Sequence, residues 1–183
     1  MNAFLKDRFA CSAGRKYARA HGTLERTWEA ACKNPRAKAY LYWMVNRTLS
    51  SQQRVDVCLR LLWGARLPDG SKLSDDIKHP VAVRALRVAK RYAQGKASAA
   101  SMYDVGNHLR RLPGLTVLEE GVSNICKKYP YVGWVFDTLM CVGCAVLTEA
   151  RRTVFQKQLC ELRRDILLPM NPFTGNTLKQ QEE

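Results

Sequence analysis

Four sets of residues have the types and spacing for chemistry. Cys141 and Cys144, two residues apart, have the spacing of a redox pair or of half a zinc site. A thioredoxin-like pair sits where a strand runs into a helix, and a structural zinc needs two further ligands. These cysteines instead lie inside the apolar run 131–147, and the chain has no second CxxC and no HxxxH, which disfavours both readings. Asp75, Asp76 and His79 could imitate the acidic cluster of a metal nuclease, but their place between basic segments reads as charge compensation in a loop. Asp104 and His108 stand four apart, the spacing of a helical surface pair more than of a general base. With no phosphate-cradling glycine loop, nucleophile elbow or HExxH, the expectation is a non-enzymatic protein needing no cofactor and no metal.

The fourth set is cationic. Arg84, Arg87 and Arg91 recur at i, i+3 and i+7, while Ala82, Ala85, Leu86, Ala89 and Ala93 take the opposite side of the same helix. Lys90 and Lys96 thicken that row, and Arg8, Arg15, Lys16 and Arg19 add a second basic stretch near the N-terminus. Arginines in a row can grip several phosphates through bidentate, salt-sensitive contacts. A third group, Arg36, Tyr40, Trp43 and Arg47, mixes rings and cations at helical spacing, as single-strand binders do. Trp28 and Trp43 fit packing positions better, which leaves Tyr40 and Arg47 as the contact residues.

Charge distribution points the same way. Residues 1–66 hold 13 basic against 4 acidic side chains, residues 67–112 hold 9 against 4, and residues 113–183 hold 8 of each. The whole net charge of +14 therefore belongs to the first 112 residues. A field of that kind destabilises a compact chain by self-repulsion and suits a polyanion or nucleoprotein as partner: nucleic acid, a nucleotide signal, or the nucleic-acid-binding groove of a nucleoprotein. The alternative is a protein effector presenting an acidic patch. A helix-turn-helix over 102–112 and 116–128 is disfavoured, because Glu119 and Glu120 would open its recognition helix.

The elements that must position these residues are helices, since no stretch shows sustained two-residue alternation. Helices are predicted over about 3–21 with Phe4, Leu5, Phe9 and Tyr17 inward, over about 23–33 capped by Thr23, and over about 36–49. A fourth begins at Ser50 or Ser51 and turns Val55, Cys58, Leu59 and Leu62 inward. An irregular loop, 66–79, precedes a fifth helix from Pro80 to near Gly95 and a sixth over 99–112. Thr116 and Glu119 form a capping box for the seventh. The region 131–168 is one long helix or two joined near Thr148. The expectation is an all-α, compact bundle of about seven to nine helices. It forms one domain over residues 1–168, basic over residues 1–112 and with neutral helices over 113–168, followed by an irregular tail over 169–183.

The string Cys11-x-x-Gly14-x-x-Tyr17, with Gly22-Thr23, Trp28, Cys32 and Trp43, resembles a helical module of bacterial putative immunity proteins and uncharacterised phage proteins. The run from Ala85-Leu86 through Ala89, Tyr92-Ala93, Gly95 and Ala97-Ser98 is similar to that module's second signature, and together they span about residues 11–98. The resemblance implies a small helical, non-enzymatic protein of toxin-immunity or phage-conflict biology, such as an inhibitor of host defence. It supplies no catalytic residue.

Seven cysteines, an odd number, fit free thiols in a reducing compartment, and no signal-peptide pattern follows Met1, so a cytoplasmic location is expected. The most apolar window is 17 residues long and holds Asp137, short of the roughly 20 apolar residues a membrane span needs. The apolar last helices make a homodimer credible.

Overall fold

Serine or threonine stands just before five of the helices in this chain, and the structure, a computed structural model describing residues 2–8 and 10–174, follows these signals. Ten α-helices occur among the described residues: α1 (Asn2–Asp7), α2 (Ser12–His21), α3 (Leu24–Lys33), α4 (Lys38–Thr48), α5 (Ser51–Gly64), α6 (Pro80–Ala93), α7 (Ala99–Arg110), α8 (Val117–Ile125), α9 (Val132–Val146) and α10 (Glu149–Leu167). Thr23, Ser50, Ser98 and Thr116 each turn a side-chain oxygen onto the backbone N–H three residues on, satisfying a donor the helix itself leaves orphaned. At Ser50 and Thr116 the third residue, Gln53 or Glu119, bonds back to complete a capping box. Gly95 turns the chain after α6 at a φ of 72°, a conformation costly for any residue with a Cβ.

The all-α class is as expected, and the ten helices exceed the seven to nine predicted because one predicted helix is divided. The single helix predicted over 3–21 is two, because Cys11 is extended (φ −65°, ψ 164°) and its Sγ accepts from Gly14 N at 3.3 Å, starting α2 anew. Phe9, predicted on its apolar face, lies outside the described residues. The region 131–168 resolves into α9 and α10, broken where Thr148 turns extended (φ −66°, ψ 160°). The predicted loop 66–79 is partly ordered by its own chemistry. Asp69 Oδ1 accepts from Ser71 N and Oγ, an antiparallel bridge pairs Arg66 with Lys72, and the buried Leu73 starts a 3-10 turn, Leu73–Asp76. The tail predicted to be irregular from Pro169 is tied down as far as Thr174. Asn171 Nδ2 donates to Glu25 O at 3.3 Å, and the Phe173 ring meets Phe4 and Trp28 edge-on at 5.3 and 6.3 Å.

One continuous set of buried side chains runs from α3 to α10, and a small satellite of Leu5, Ala10 and Ala18 lies under α1 and α2. Val55, Cys58, Leu59 and Leu62 point inward as predicted. Trp28 is wholly buried, and its Nε1 donates to Leu167 O at 2.9 Å, joining the third helix to the last. Close approach of α9 and α10 depends on Gly143, where a Cβ would run into the Phe155 ring.

The most heavily used polar group is the Glu119 carboxylate, 5% exposed. Oε2 accepts from Thr116 N and Oγ1 at 3.0 and 3.1 Å, and Oε1 accepts from Lys78 N and His79 N at 3.2 and 2.8 Å. The start of α6 is thereby fastened to the start of α8. Burial alone would raise this carboxyl's pKa, but the bonds from Thr116, His79 and Lys78 outweigh it and hold the pKa below the ordinary glutamate value. A depressed carboxyl contributes stability above its unfolded pKa and loses it as pH falls through the folded one. Glu119→Ala, which strands four donors, is expected to cost about 2–3 kcal/mol in urea denaturation at neutral pH. The gap from wild type should shrink in acid, below the glutamate range, and a gap that persists there would assign the loss to packing alone.

Candidate functional site

The start of α6 is set by three local features: Pro80 at its first position, His79 Nδ1 accepting from Val81 N at 3.2 Å, and the Glu119 clasp. Ala82, Ala85, Leu86, Ala89 and Tyr92 then bury one side of the helix against α5, α7 and α8. The remaining arc carries Arg84, Arg87, Lys90 and Arg91, all exposed. Residues 80–93 contain no Asp or Glu, and among the described residues none of these four cations forms an ion pair. Arg84 and Arg87 also make no hydrogen bond, whereas Arg91 Nη2 donates to Lys96 O at 3.3 Å. Lys90 Nζ stands 5.6 Å from the centre of the half-exposed Trp63 ring, a weak cation–π contact. The row is thus rigidly mounted, uncompensated and open to solvent.

The other predicted residues lie elsewhere. Arg15, Lys16 and Arg19 are exposed on α2, which packs on α3, so the two basic stretches belong to different regions of the bundle. Arg15 Nη1 is engaged, donating to Ala10 O at 2.7 Å across the α1–α2 corner. Tyr40 is half-buried and stacked on Tyr17 with centroids 4.6 Å apart, so one face of its ring is occupied. Trp28 and Trp43 pack as predicted, the latter edge-on to Phe4 at 6.0 Å.

Arg47 is exposed and lines a groove of about 510 Å³ with Trp43, Arg54, Tyr129, Pro130 and Tyr131. The α8–α9 connection that forms its other side brings cations and rings together. Lys127 Nζ sits 4.3 Å over Trp134, and Lys128 Nζ lies 5.6 Å from Tyr129, which is 70% exposed. Lys127, Lys128, Tyr129, Tyr131 and Trp134 are not among the contacts predicted from the sequence. Their signal is present as two lysines and three aromatic residues within eight positions, but the zero net charge of residues 113–183 masks it.

The groups considered for catalysis are dispersed. Cys141 and Cys144 are free thiols on α9, with Gln156 Nε2 donating to Cys144 Sγ at 3.5 Å. Asp75 and Asp76 are exposed on their 3-10 turn, while His79 serves as a helix cap. Among the described residues no group of three His, Cys, Asp or Glu gathers as metal ligands would. Burial pushes the Cys32 and Cys126 thiols up to about 12, leaving them protonated and unreactive at neutral pH. α8 is buried at Leu118, Glu119, Gly121, Val122, Ser123 and Ile125, so it packs within the bundle and cannot lie in a DNA groove. Among the described residues no helix is long and apolar enough to cross a membrane. Compared with models of protein families, with curated proteins and with solved structures, the chain matches none.

Because the α6 cations touch no carboxylate, replacing Arg84, Arg87 and Arg91 together with Ala should leave stability within about 0.5 kcal/mol per site. Calorimetry of the triple variant checks this, and a fall of several kcal/mol would mean that the arginines hold the fold together.

Proposed function

We propose that this protein is a non-enzymatic helical binding module whose exposed basic surface engages a polyanion, either nucleic acid or the nucleic-acid component of a nucleoprotein. The reading is carried by the α6 row: four cations on one rigid helix, without a carboxylate in that helix and, among the described residues, without an ion pair. Solvated surface charges placed for solubility are ordinarily interspersed with the opposite sign, and pairs at i, i+3 and i, i+4 of one sign repel by a few tenths of a kcal/mol, roughly 0.2–0.5. A row that bears this repulsion becomes favourable once phosphates neutralise it and release their counterions.

The groove beside Arg47 supports the same reading with a different contact type. Exposed Tyr129 and Trp134, each with a lysine over its ring, offer π faces and cations at once, the combination that holds unpaired bases independently of sequence. Single-stranded nucleic acid is therefore the favoured form. The biological setting implied by the immunity-protein and phage-protein resemblance is inhibition of a host defence machine that handles nucleic acid.

Fluorescence anisotropy with a labelled single-stranded oligonucleotide across a salt series tests the proposal. Wild type should bind with an affinity that falls steeply as salt rises. Replacing Arg84, Arg87 and Arg91 together should weaken binding and flatten the plot of log K against log salt by about 2, since each lost phosphate contact removes roughly 0.7 from the slope. Binding unchanged in the triple variant would remove α6 from the interface. No binding at low salt, combined with capture of an acidic protein, would replace nucleic acid with a protein effector as the partner.

A further inference from the structure

Arg163, on α10, is 1% exposed, and its Nε, Nη1 and Nη2 all lack a hydrogen-bonding partner. The guanidinium carbon lies 5.2 Å from the centre of the Phe136 ring and 5.9 Å from that of Tyr42, whose buried hydroxyl is within reach of the guanidinium without meeting full hydrogen-bond geometry. Ring faces attract a cation, but a single neutral hydroxyl such as that of Tyr42 can neither satisfy five N–H donors nor balance the charge. A buried guanidinium in that condition is strongly unfavourable unless an anion completes it.

The same side chain lines a cleft of about 800 Å³ between α9, α10 and the corner joining α3 to α4. Five basic and two acidic side chains line it, and neither acid neutralises Arg163. Asp137 is held by Lys38 at 3.2 Å, and Glu161 forms no ion pair with Arg163. Lys33 and Lys157 stand exposed in its wall, while Pro35, Phe136 and Met140 give it an apolar side. The volume falls within the roughly 300–1,000 Å³ of clefts that take small organic ligands. None of the α6 cations lines it.

We propose that this cleft binds a small phosphorylated organic molecule of nucleoside-monophosphate size. Arg163 and the wall lysines take the phosphate, and the ligand's body lies along Phe136 and Met140. A guanidinium fork matches two phosphate oxygens at once. Because the Arg163 nitrogens are out of contact with solvent, engagement involves side-chain rotation in the wall, where Met140 and Lys157 are unbranched and flexible. The site is independent of the α6 surface.

Isothermal titration calorimetry of the full chain with adenosine monophosphate, and separately with inorganic phosphate at equal ionic strength, tests this. Adenosine monophosphate should bind saturably and at least about tenfold more tightly than phosphate. Arg163→Met, which keeps an unbranched apolar side chain and removes the charge, should weaken that binding at least about tenfold, the loss expected of charge-assisted bonds. Lys33→Ala with Lys157→Ala, both exposed and in no ion pair among the described residues, should weaken it several-fold and decides the matter if Arg163→Met does not fold. The triple alanine variant of Arg84, Arg87 and Arg91 should bind as wild type does. Absence of saturable binding at millimolar nucleotide, equal affinity for inorganic phosphate, an unaffected lysine pair, or loss of binding in the α6 variant would each overturn the proposal.

Discussion

One buried carboxylate sets the direction of the helix on which the functional reading rests. Glu119 caps its own helix through Thr116 and at the same time takes the N–H groups of Lys78 and His79 that open α6. An anion at a helix start also interacts favourably with the helix dipole, so one group steadies two helix N-termini. With α6 pinned there and its small residues buried against α5, α7 and α8, the arc bearing Arg84, Arg87, Lys90 and Arg91 has no freedom to turn inward. The clasp is thus structural, while its consequence is the presentation of charge.

Arginine plays two opposite electrostatic roles in this molecule. On α6 each cation is hydrated, so its interaction with neighbours is screened over a Debye length of about 10 Å at ordinary salt. Such charges change stability little and association a great deal. Arg163 is shut away from water, where the same group is poorly compensated by the Phe136 and Tyr42 rings. Arg54 shows a better-satisfied buried arginine: Nη1 donates to Asn46 O and Leu49 O and Nη2 donates to Ser51 Oγ, which leaves only Nε without a partner. The contrast makes Arg163 the exceptional group of the interior.

Much of the helical plan is legible in the sequence because it is local. Thr23, Ser50, Thr116, Pro80 and Gly95 act where their chemistry places them, within a turn of the residue that names the boundary. The break at Cys11 is not legible, since a thiol is a poor acceptor and seldom caps a helix. The Glu119 bond to the start of α6 spans 40 residues, and the anchoring of Phe173 on Trp28 spans still more, so neither has a local signature. For the candidate site, the exposure of the α6 row follows from spacing alone. The occupied face of Tyr40 depends on Tyr17 from another helix, and the cluster from Lys127 to Trp134 is hidden in a segment whose charges cancel.

The α6 cations act either as a docking face, as proposed, or as part of a uniform coat of solubilising charge. The most direct measurement is nuclear magnetic resonance mapping of the ¹⁵N-labelled chain during titration with a short single-stranded oligonucleotide at moderate salt. With a docking face on α6, the side-chain Nε–H signals of Arg84, Arg87 and Arg91 should shift together and saturate, while those of Arg151 and Arg152 at the start of α10 stay in place. Equal, unsaturating shifts of arginines on every face of the molecule would contradict it.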